Sequence, residues 1–301
     1  MTEQHSPPEQ ADPAVPEIGP YPPGPDHLGF AADEIDTSRA HPARMYDYFL
    51  GGWDNYEVDR VAGDRVIDLY PQVRDSVRAN GAFRRRAVRA VAAAGVRQFL
   101  VLGIGIPTSP NPHEVARETA PESRVVYVDS DPIVATHARA RLANAAGTAF
   151  ALGDLRDPKA VLDDPAVRAL IDFDRPVGLL IGGVMDFLSA DDNPAGLLAA
   201  FGAALPAGSH LILSHGTYEP YEGYAQGRVD EAARTHVEEV YKSSTAPLTL
   251  RTKDEIAALL GPFTPLEPGV VRVPLWRPDE DVPGPEELNS IIFYGVVARK
   301  G

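Results

Sequence analysis

Residues 98–108 have the sequence QFLVLGIGIPT, an apolar run of strand length that ends in two glycines. Gly103 and Gly105 allow the backbone to turn sharply and to approach a ligand without a Cβ atom in the way. A second apolar run, VVYVDSD at residues 125–131, ends in acidic residues. Because ligands of parallel α/β sheets bind beyond the carboxyl ends of the strands, these two segments predict one binding site.

Short apolar runs and helical segments alternate after residue 95. This alternation is typical of right-handed crossovers and of a parallel sheet that is covered on both faces. The sequence therefore predicts a doubly wound α/β domain. The predicted strands are 98–102, 124–128, 148–152, 177–182, 210–214 and 290–298. The predicted helices are 113–119, 132–145, 158–170, 194–205 and 230–241, with a further helix that begins at a capping box of Thr252 and Glu255.

The composition excludes several classes of protein. With 28 basic and 43 acidic residues among 301, the net charge is −15, which argues against a non-specific nucleic-acid binder. The absence of cysteine excludes disulfides, thiolate metal sites and cysteine nucleophiles. No metal site is predicted, since His210 and His215 lie on opposite faces of a predicted strand. No apolar run approaches the roughly 18 residues of a membrane helix, and no signal pattern is visible, so we expect a cytoplasmic protein without membrane partners.

Three segments are predicted along the chain. Residues 1–40 form a flexible acidic tail, because residues 1–30 contain eight prolines and almost no periodic apolar pattern. Up to residue 43 the chain has eight acidic residues and a single arginine. This acidic segment is either simply solvated or binds a partner. Residues 41–95 form a helical cap, and residues 96–301 form the α/β domain.

The predicted cap contains two helical patterns. In the first, large apolar residues recur at spacings of three and four around a Gly51-Gly52 pair, namely Met45, Phe49, Trp53 and Tyr56. The second, over residues 73–94, carries six arginines: Arg74, Arg78, Arg84, Arg85, Arg86 and Arg89. These arginines form either a solvated face whose stems cover apolar surface or an anion-binding face for a substrate or the tail.

Acidic residues at strand ends indicate an adenosine-containing ligand. Asp129 lies 24 residues beyond Gly105, and a carboxylate at the end of the second strand can accept hydrogen bonds from both ribose hydroxyls. Asp154 ends the third predicted strand at the same edge. In the alternative interpretation, Asp129 and Asp131 only cap the helix that begins at Pro132.

The glycine loop disfavours a dinucleotide. The dinucleotide fingerprint requires a glycine or alanine three residues after Gly105, where this chain has Thr108. A pyrophosphate also favours a helix that begins directly after the glycines, whereas residues 109–112, SPNP, delay it. A ligand without phosphates fits better, and S-adenosylmethionine is the commonest one.

Seven ordered segments carry a resemblance to a known family: ARMYDYFLGGWDNYEVDR (43–60), QFLVLGIGIPTSPNPHEVA (98–116), VVYVDSDPIVATHARARL (125–142), GDLRDP (153–158), LPAGSHLILSH (205–215), PGVVRVPLWRPD (268–279) and YGVVARK (294–300). The chain resembles the actinobacterial S-adenosylmethionine-dependent methyltransferases long catalogued as a domain of unknown function. The resemblance covers nearly the whole chain after about residue 33. It implies a class I methyltransferase fold with a mostly parallel seven-stranded sheet, strand order 3-2-1-4-5-7-6, and an N-terminal helical cap.

The resemblance also implies which residues bind the cofactor S-adenosylmethionine. Gly103 and Gly105 correspond to the cofactor loop, Asp129 to the ribose-binding acid and Asp154 to the adenine-edge acid, and the neighbouring Ser130 and Leu155 are further predicted cofactor-binding residues. Three positions depart from the family pattern. Val101 replaces an acid in the first strand, Ile104 replaces a polar residue between the glycines, and Asp186 replaces a histidine after the fourth strand.

Asp186 and His215 are the candidate catalytic residues, because both follow strands that end near the expected methyl group. Methyl transfer is an in-line displacement in which the protein supplies proximity and, where needed, a base. Asp186 acts either as this base or as an acceptor of backbone hydrogen bonds in its turn. His215 titrates near neutrality when unperturbed and is either a second base or a structural residue.

Four cap residues are predicted to lie over the pocket and bind the substrate: Tyr46, Asn55, Tyr56 and Arg60. An aromatic face beside a sulfonium cation is physically favourable. The leading hypothesis is a methyltransferase that acts on a small molecule. The alternatives are an enzyme that uses the sulfonium in another reaction and a non-catalytic protein that binds an adenosine ligand.

Overall fold

The protein is described here by a computed structural model that covers residues 36–142, 145–222, 224, 231–279 and 281–301. The predicted acidic tail therefore lies outside the described residues up to residue 35. Residues 36–40, the last part of that segment, contact the cap. The buried Arg44 guanidinium donates hydrogen bonds to the carbonyl oxygens of Asp36 (3.2 Å) and Arg39 (2.6 Å), and Ala40 accepts one from the Thr245 N–H.

A single sheet forms the centre of the described chain. Its order is β3-β2-β1-β4-β5-β8-β6, parallel from β3 to β5 and antiparallel where β8 lies between β5 and β6. A two-residue β7 pairs with β8. The strands are β1 Gln98–Leu102, β2 Arg124–Asp129, β3 Thr148–Leu152, β4 Gly178–Gly182, β5 His210–Gly216, β6 Phe263–Pro265, β7 Val271–Arg272 and β8 Phe293–Lys300.

This topology confirms the predicted fold class. Leaving out β7, the order is the predicted 3-2-1-4-5-7-6. All six predicted strands are present, although the last begins at Phe293 rather than residue 290, because a helix occupies Pro285–Ser290. The edge strand β6 escaped prediction, since three residues that include a proline show no alternation.

Helices cover both faces of the sheet. They are α1 Pro42–Leu50, α2 Glu57–Leu69, α3 Val73–Ala93, α4 Pro112–Thr119, α5 Pro132–Leu142, α6 Pro158–Asp163, α7 Pro165–Leu170, α8 Pro194–Ala204, α9 Glu231–Lys242, α10 Lys253–Ala258 and α11 Pro285–Ser290. The predicted helix 158–170 is split into α6 and α7, because the residue before Pro165 is disfavoured in helical geometry and Asp164 instead caps α7. None of the helices in the described ranges is long and apolar enough to cross a membrane.

The two faces of the sheet bury different cores, because successive side chains of a strand point in opposite directions. Phe99 and Val101 of β1 pack with Met45 and Phe83 of the cap helices. Leu100 and Leu102 belong to the core of the opposite face. The sequence of β1 is apolar at every position but the first because the strand is buried on both sides.

The cap departs from its predicted periodicity after α1. Gly51 ends the helix in the left-handed conformation at a φ of 82°, so the chain leaves the helical path there. Met45 and Phe49 are buried as predicted, whereas Trp53 is 94% exposed and Tyr56 is 42% exposed. The predicted apolar stripe therefore holds for α1 and ends at the glycine pair.

Candidate functional site

A cavity of about 370 Å³ opens at the carboxyl ends of the parallel strands. Its floor is formed by the loops that follow β1, β2, β3 and β4, and its roof by α1 and α3 of the cap. This is the edge at which the sequence predicts a ligand. Small-molecule sites in proteins occupy about 300–1,000 Å³, so the cavity has the size of such a site.

The loop after β1 requires glycine at both predicted positions. Gly103 and Gly105 have φ angles of 68° and 66°, in the left-handed region that favours glycine. A Cβ atom on Gly103 would lie 2.5 Å from the side chain of Val184, so the two loops after β1 and β4 are packed directly against each other. The predicted cofactor loop thus has a close-packed backbone that lines the cavity.

Asp129 joins the loops after β1 and β2. Its Oδ2 accepts a hydrogen bond from the Gly105 N–H at 2.9 Å, and its Oδ1 accepts one from the Asp131 N–H at 3.0 Å. Burial raises the pKa of Asp129 to about 6, while these two hydrogen bonds lower it. Each carboxylate oxygen has a further lone pair, so the side chain can still accept two hydroxyl protons. The free acceptor positions of this carboxylate therefore fit the two hydroxyls of a ribose.

The remaining predicted cofactor residues also line the cavity. Leu155 is buried and supplies an apolar surface, and Ser130 follows Asp129 in the same loop. Asp154 lies at the end of the third strand but forms an ion pair with Arg156 at 3.3 Å and accepts a hydrogen bond from its N–H. All six predicted cofactor residues are thus brought to one edge of the sheet.

Asp186 follows β4 in a single turn of 3-10 helix, Val184–Phe187, and lines the cavity. Its Oδ1 accepts a hydrogen bond from the Gly216 N–H at 3.0 Å. Burial raises the pKa of Asp186 from 3.8 to about 8. The carboxyl group is only 4% exposed, and within the described residues Oδ2 has no hydrogen-bond donor. Asp186 therefore combines a free oxygen with a titration range suited to proton transfer near neutral pH.

His215 is fully buried beside Asp186 and does not line the cavity. Its Nε2 lies 2.8 Å from an Arg251 nitrogen, and because a guanidinium only donates, Nε2 must accept and Nδ1 must carry the proton. Nδ1 lies 2.8 Å from the Gly216 carbonyl oxygen and 3.1 Å from Oδ1 of Asp186. Burial lowers the pKa of His215 to about 4, which keeps the imidazole neutral. Both nitrogens have partners, which favours the structural alternative for His215 over a second base.

Of the four predicted substrate residues, the structure brings only Tyr46 to the cavity. The Tyr46 hydroxyl donates to the Val77 carbonyl oxygen at 3.1 Å and accepts from Asn80 at 3.2 Å. Burial raises the pKa of Tyr46.

Asn55, Tyr56 and Arg60 lie outside the cavity, which corrects their predicted placement. The chain leaves the helical path at Gly51, so these residues lie on the far side of the turn. There the Asn55 side chain donates a hydrogen bond to Asp47 at 2.8 Å. The backbone carbonyl oxygen of Asn55 accepts one from the Arg60 side chain at 3.0 Å. They stabilise the loop between α1 and α2.

Sequence reasoning did not place several residues that line the cavity. The cavity also has an apolar lining that includes Phe49, Val77, Phe187, Tyr241, Leu250 and Phe293. Arg84 and Arg85 of α3 also line the cavity. The arginine run was visible in the sequence, but its direction depends on how α3 packs on the sheet. The departures Val101 and Ile104 add apolar surface to the same cavity.

No cluster of three or more histidine, aspartate or glutamate side chains in the described residues has the geometry of a metal site.

Two solved structures are similar to this protein over most of the chain. A DUF574 family protein from Streptomyces avermitilis is 40% identical, with a TM-score of 0.81, over 89% of this chain and 100% of its own. A candidate methyltransferase from Thermobifida fusca is 37% identical, with a TM-score of 0.78, over 88% of this chain and 96% of its own. A search of curated proteins found no match.

The sheet order and the glycine loop with its acidic partner define a class I S-adenosylmethionine-dependent methyltransferase. S-adenosylmethionine is the cofactor of this class. The family model described as S-adenosyl methyltransferase matches residues 29–301, and the chain belongs to this family.

Proposed function

We propose that the protein transfers a methyl group from S-adenosylmethionine to a small-molecule acceptor, with Asp186 as the general base. The observation that carries this proposal is the cavity itself. The cap helices lie over the strand ends, so that the loops after β1, β2 and β4 face a partly enclosed volume of about 370 Å³. A folded macromolecule would not fit under this roof, whereas a small acceptor would.

We assign each part of the cofactor to different residues at the strand ends. Asp129 is assigned the two ribose hydroxyls and Asp154 the adenine edge, and Ser130 and Leu155 line the cavity beside them. Gly103 and Gly105 let the backbone approach the methionine part closely. When bound, the cofactor supplies an electrophilic methyl group on a sulfonium. The acceptor atom forms a bond to that methyl carbon, the carbon–sulfur bond breaks, and S-adenosylhomocysteine leaves with the electron pair.

We assign to Asp186 the role of general base, which takes up the proton that the methyl acceptor loses. The carboxyl group is held by the Gly216 N–H and by the neutral His215, whose tautomer Arg251 sets. Without a cation nearby, the raised pKa of Asp186 keeps much of this carboxyl group protonated at neutral pH. A sulfonium cation nearby favours the carboxylate, because opposite charges lower the pKa of an acid. Binding of the cofactor therefore generates the base.

Mass analysis of the consumed cofactor tests this proposal. The protein is incubated with S-adenosylmethionine and a pool of bacterial metabolites, and the Asp129→Ala and Asp186→Asn variants serve as matched controls. Release of S-adenosylhomocysteine together with a product heavier by one methylene unit is the expected result. We expect turnover to fall about 10²–10⁴-fold in the Asp186→Asn variant, the range for a positioned base.

Other outcomes select the alternatives. Consumption of the cofactor without S-adenosylhomocysteine would indicate a different reaction of the sulfonium, a possibility raised by Val101, Ile104 and Asp186 in place of the family's polar residues. Tight binding of S-adenosylhomocysteine without turnover on any metabolite pool would indicate a non-catalytic binding protein.

A further inference from the structure

Six arginines lie along α3, and four of them have partners in the described chain. Arg89 forms ion pairs with Glu118 at 3.1 Å and Asp279 at 3.5 Å, and Arg78 pairs with Asp75 at 3.4 Å. Arg86 donates to two backbone carbonyl oxygens, and Arg74 lies over the ring of Tyr48. These four fit the interpretation of a solvated or structural helix face.

Arg84 and Arg85 differ from the other four. Both line the cavity, both are partly buried, and neither has an ion pair or a hydrogen bond within the described residues. The chain holds 43 acidic residues, yet no described carboxylate lies within ion-pair distance of this pair. A guanidinium that is partly removed from water without a counter-charge is costly, so an anion from outside the chain would be favourable here.

The fold makes space for Arg84 in this position. A Cβ atom on Gly182, the last residue of β4, would lie 2.6 Å from Cδ and 3.4 Å from Nη1 of Arg84. Glycine at this strand end therefore lets the arginine lie directly over the sheet edge, next to the loop that contains Asp186. Tyr46 is within electrostatic range of both Arg84 and Asp186, which places these three groups around one space.

The two guanidinium groups also act on each other. Burial lowers the pKa of Arg85, and the positive charges of Arg84 and Arg89 lower it further. Because the like charges repel, an anion beside Arg84 and Arg85 would lower the electrostatic energy of the pair.

We propose that Arg84 and Arg85 form a carboxylate-binding pair in the cavity. The planar guanidinium matches a carboxylate with two parallel hydrogen bonds. A phosphate is a poorer match, because its greater negative charge favours additional cations. The other described arginines that line the cavity, Arg78 and Arg156, are already paired with acids. The inference rests on the proposed function, since a methyltransferase cavity has two sources of a carboxylate: the methionine part of the cofactor and an acceptor that is itself an acid.

The first arm of the test asks whether the cofactor supplies the carboxylate. Isothermal titration measures the affinity for S-adenosylhomocysteine and for 5′-methylthioadenosine, which lacks the amino-acid part. The proteins compared are the wild type, Arg84→Gln, Arg85→Gln and the double variant. Arg89→Gln is the matched control, on the same helix but paired on the surface. If the pair binds the cofactor carboxylate, S-adenosylhomocysteine affinity falls about 10- to 100-fold, as for charged hydrogen bonds, while methylthioadenosine affinity and the control stay unchanged.

The second arm asks whether the acceptor supplies the carboxylate. Protein saturated with S-adenosylhomocysteine is titrated with benzoate, 3-phenylpropionate and octanoate, each beside its amide. Tighter binding of the acid than of its amide, lost in the double variant, assigns the pair to an acceptor that is apolar and carries a carboxylate. The apolar lining of the cavity is the reason for these probes.

A folded double variant that keeps its affinity for S-adenosylhomocysteine, in a protein for which no acid binds better than its amide, would overturn the proposal. Circular dichroism establishes the fold. Failure of the proposed function is distinguishable: in that case wild-type protein and Asp129→Ala would bind S-adenosylhomocysteine equally poorly, whereas the acid-against-amide comparison can still be made on the ligand-free protein.

Discussion

Replacing Asp186 with asparagine is expected to change how the stability of the protein depends on pH. Burial raises the pKa of Asp186 from 3.8 to about 8 in the folded state, whereas the unfolded chain titrates near the ordinary value. Between these two values the folded state still binds a proton that the unfolded state has released. Stability must therefore fall as the pH rises through this window. The Asp186→Asn variant lacks this loss.

The size of the effect follows from the width of the window. One proton contributes about 1.4 kcal/mol per pH unit, so a window of about four units sets a ceiling of about 6 kcal/mol. Water that reaches the charged carboxylate reduces the penalty. We therefore expect the wild type to lose about 2–4 kcal/mol of unfolding free energy relative to Asp186→Asn between about pH 5 and about pH 9.

Urea denaturation followed by circular dichroism at each pH measures this difference. Other buried groups also titrate in this range, among them His215 and Asp129. The lowered pKa of His215 makes stability rise with pH between about 4 and 6.5, and the raised pKa of Asp129 makes it fall up to about 6. Above about pH 7 neither group changes its protonation between the folded and the unfolded state, so the difference between the two curves there isolates Asp186.

Asp191→Asn is the matched control, since Asp191 is exposed near the same strand end. Its curve should run parallel to that of the wild type. Parallel curves for the wild type and Asp186→Asn would refute the reasoning, because they would show that the carboxyl group is already ionised in the folded protein below neutral pH.

Three further predictions concern the cofactor site and the cap. Asp129→Ala should weaken S-adenosylhomocysteine binding by about 2–4 kcal/mol in isothermal titration, since charged hydrogen bonds are lost; unchanged affinity in a folded variant would remove the ribose assignment. Affinity for cationic S-adenosylmethionine should rise between about pH 6 and pH 8, while that for neutral S-adenosylhomocysteine should not, because the sulfonium favours the Asp186 carboxylate; equal pH profiles, or a rise that persists in Asp186→Asn, would contradict this coupling. Arg44→Met should destabilise the protein by about 3–5 kcal/mol in thermal or urea unfolding, because it leaves Asp59 buried without its partner at 3.1 Å; a loss below 1 kcal/mol would show that the pair contributes little.

The cofactor edge was predictable from local sequence because parallel strands end at one side of a sheet. Each segment that ends in Gly105, Asp129 or Asp154 is short and apolar, and alternation with helices makes the strands parallel. Once that is known, the three strand ends must meet. The left-handed glycines and the hydrogen bond from the Gly105 N–H to Asp129 are the direct consequence.

The cap residues were less predictable because a helical period holds only while the helix continues. Gly51 turns the chain in the left-handed region, and the spacing that placed Tyr56 and Arg60 over the pocket no longer applies beyond it. Sequence shows where a glycine permits such a turn but not the direction in which the following loop packs. That direction depends on Asp47, which binds Asn55 across the turn.

The sequence by itself determined the fold class, since this depends on periodicity, and the resemblance to the family implied the strand order and the predicted cofactor residues. Only the tertiary structure decided where His215, Arg84 and Arg85 lie and which partners they have. His215 is neutral and occupied because Arg251, 36 positions away, donates to its Nε2. The two arginines face the cavity because α3 packs against β4, where Gly182 leaves room for Arg84. The burial of these side chains and their partners depend on contacts between distant parts of the chain, so the local sequence does not predict them.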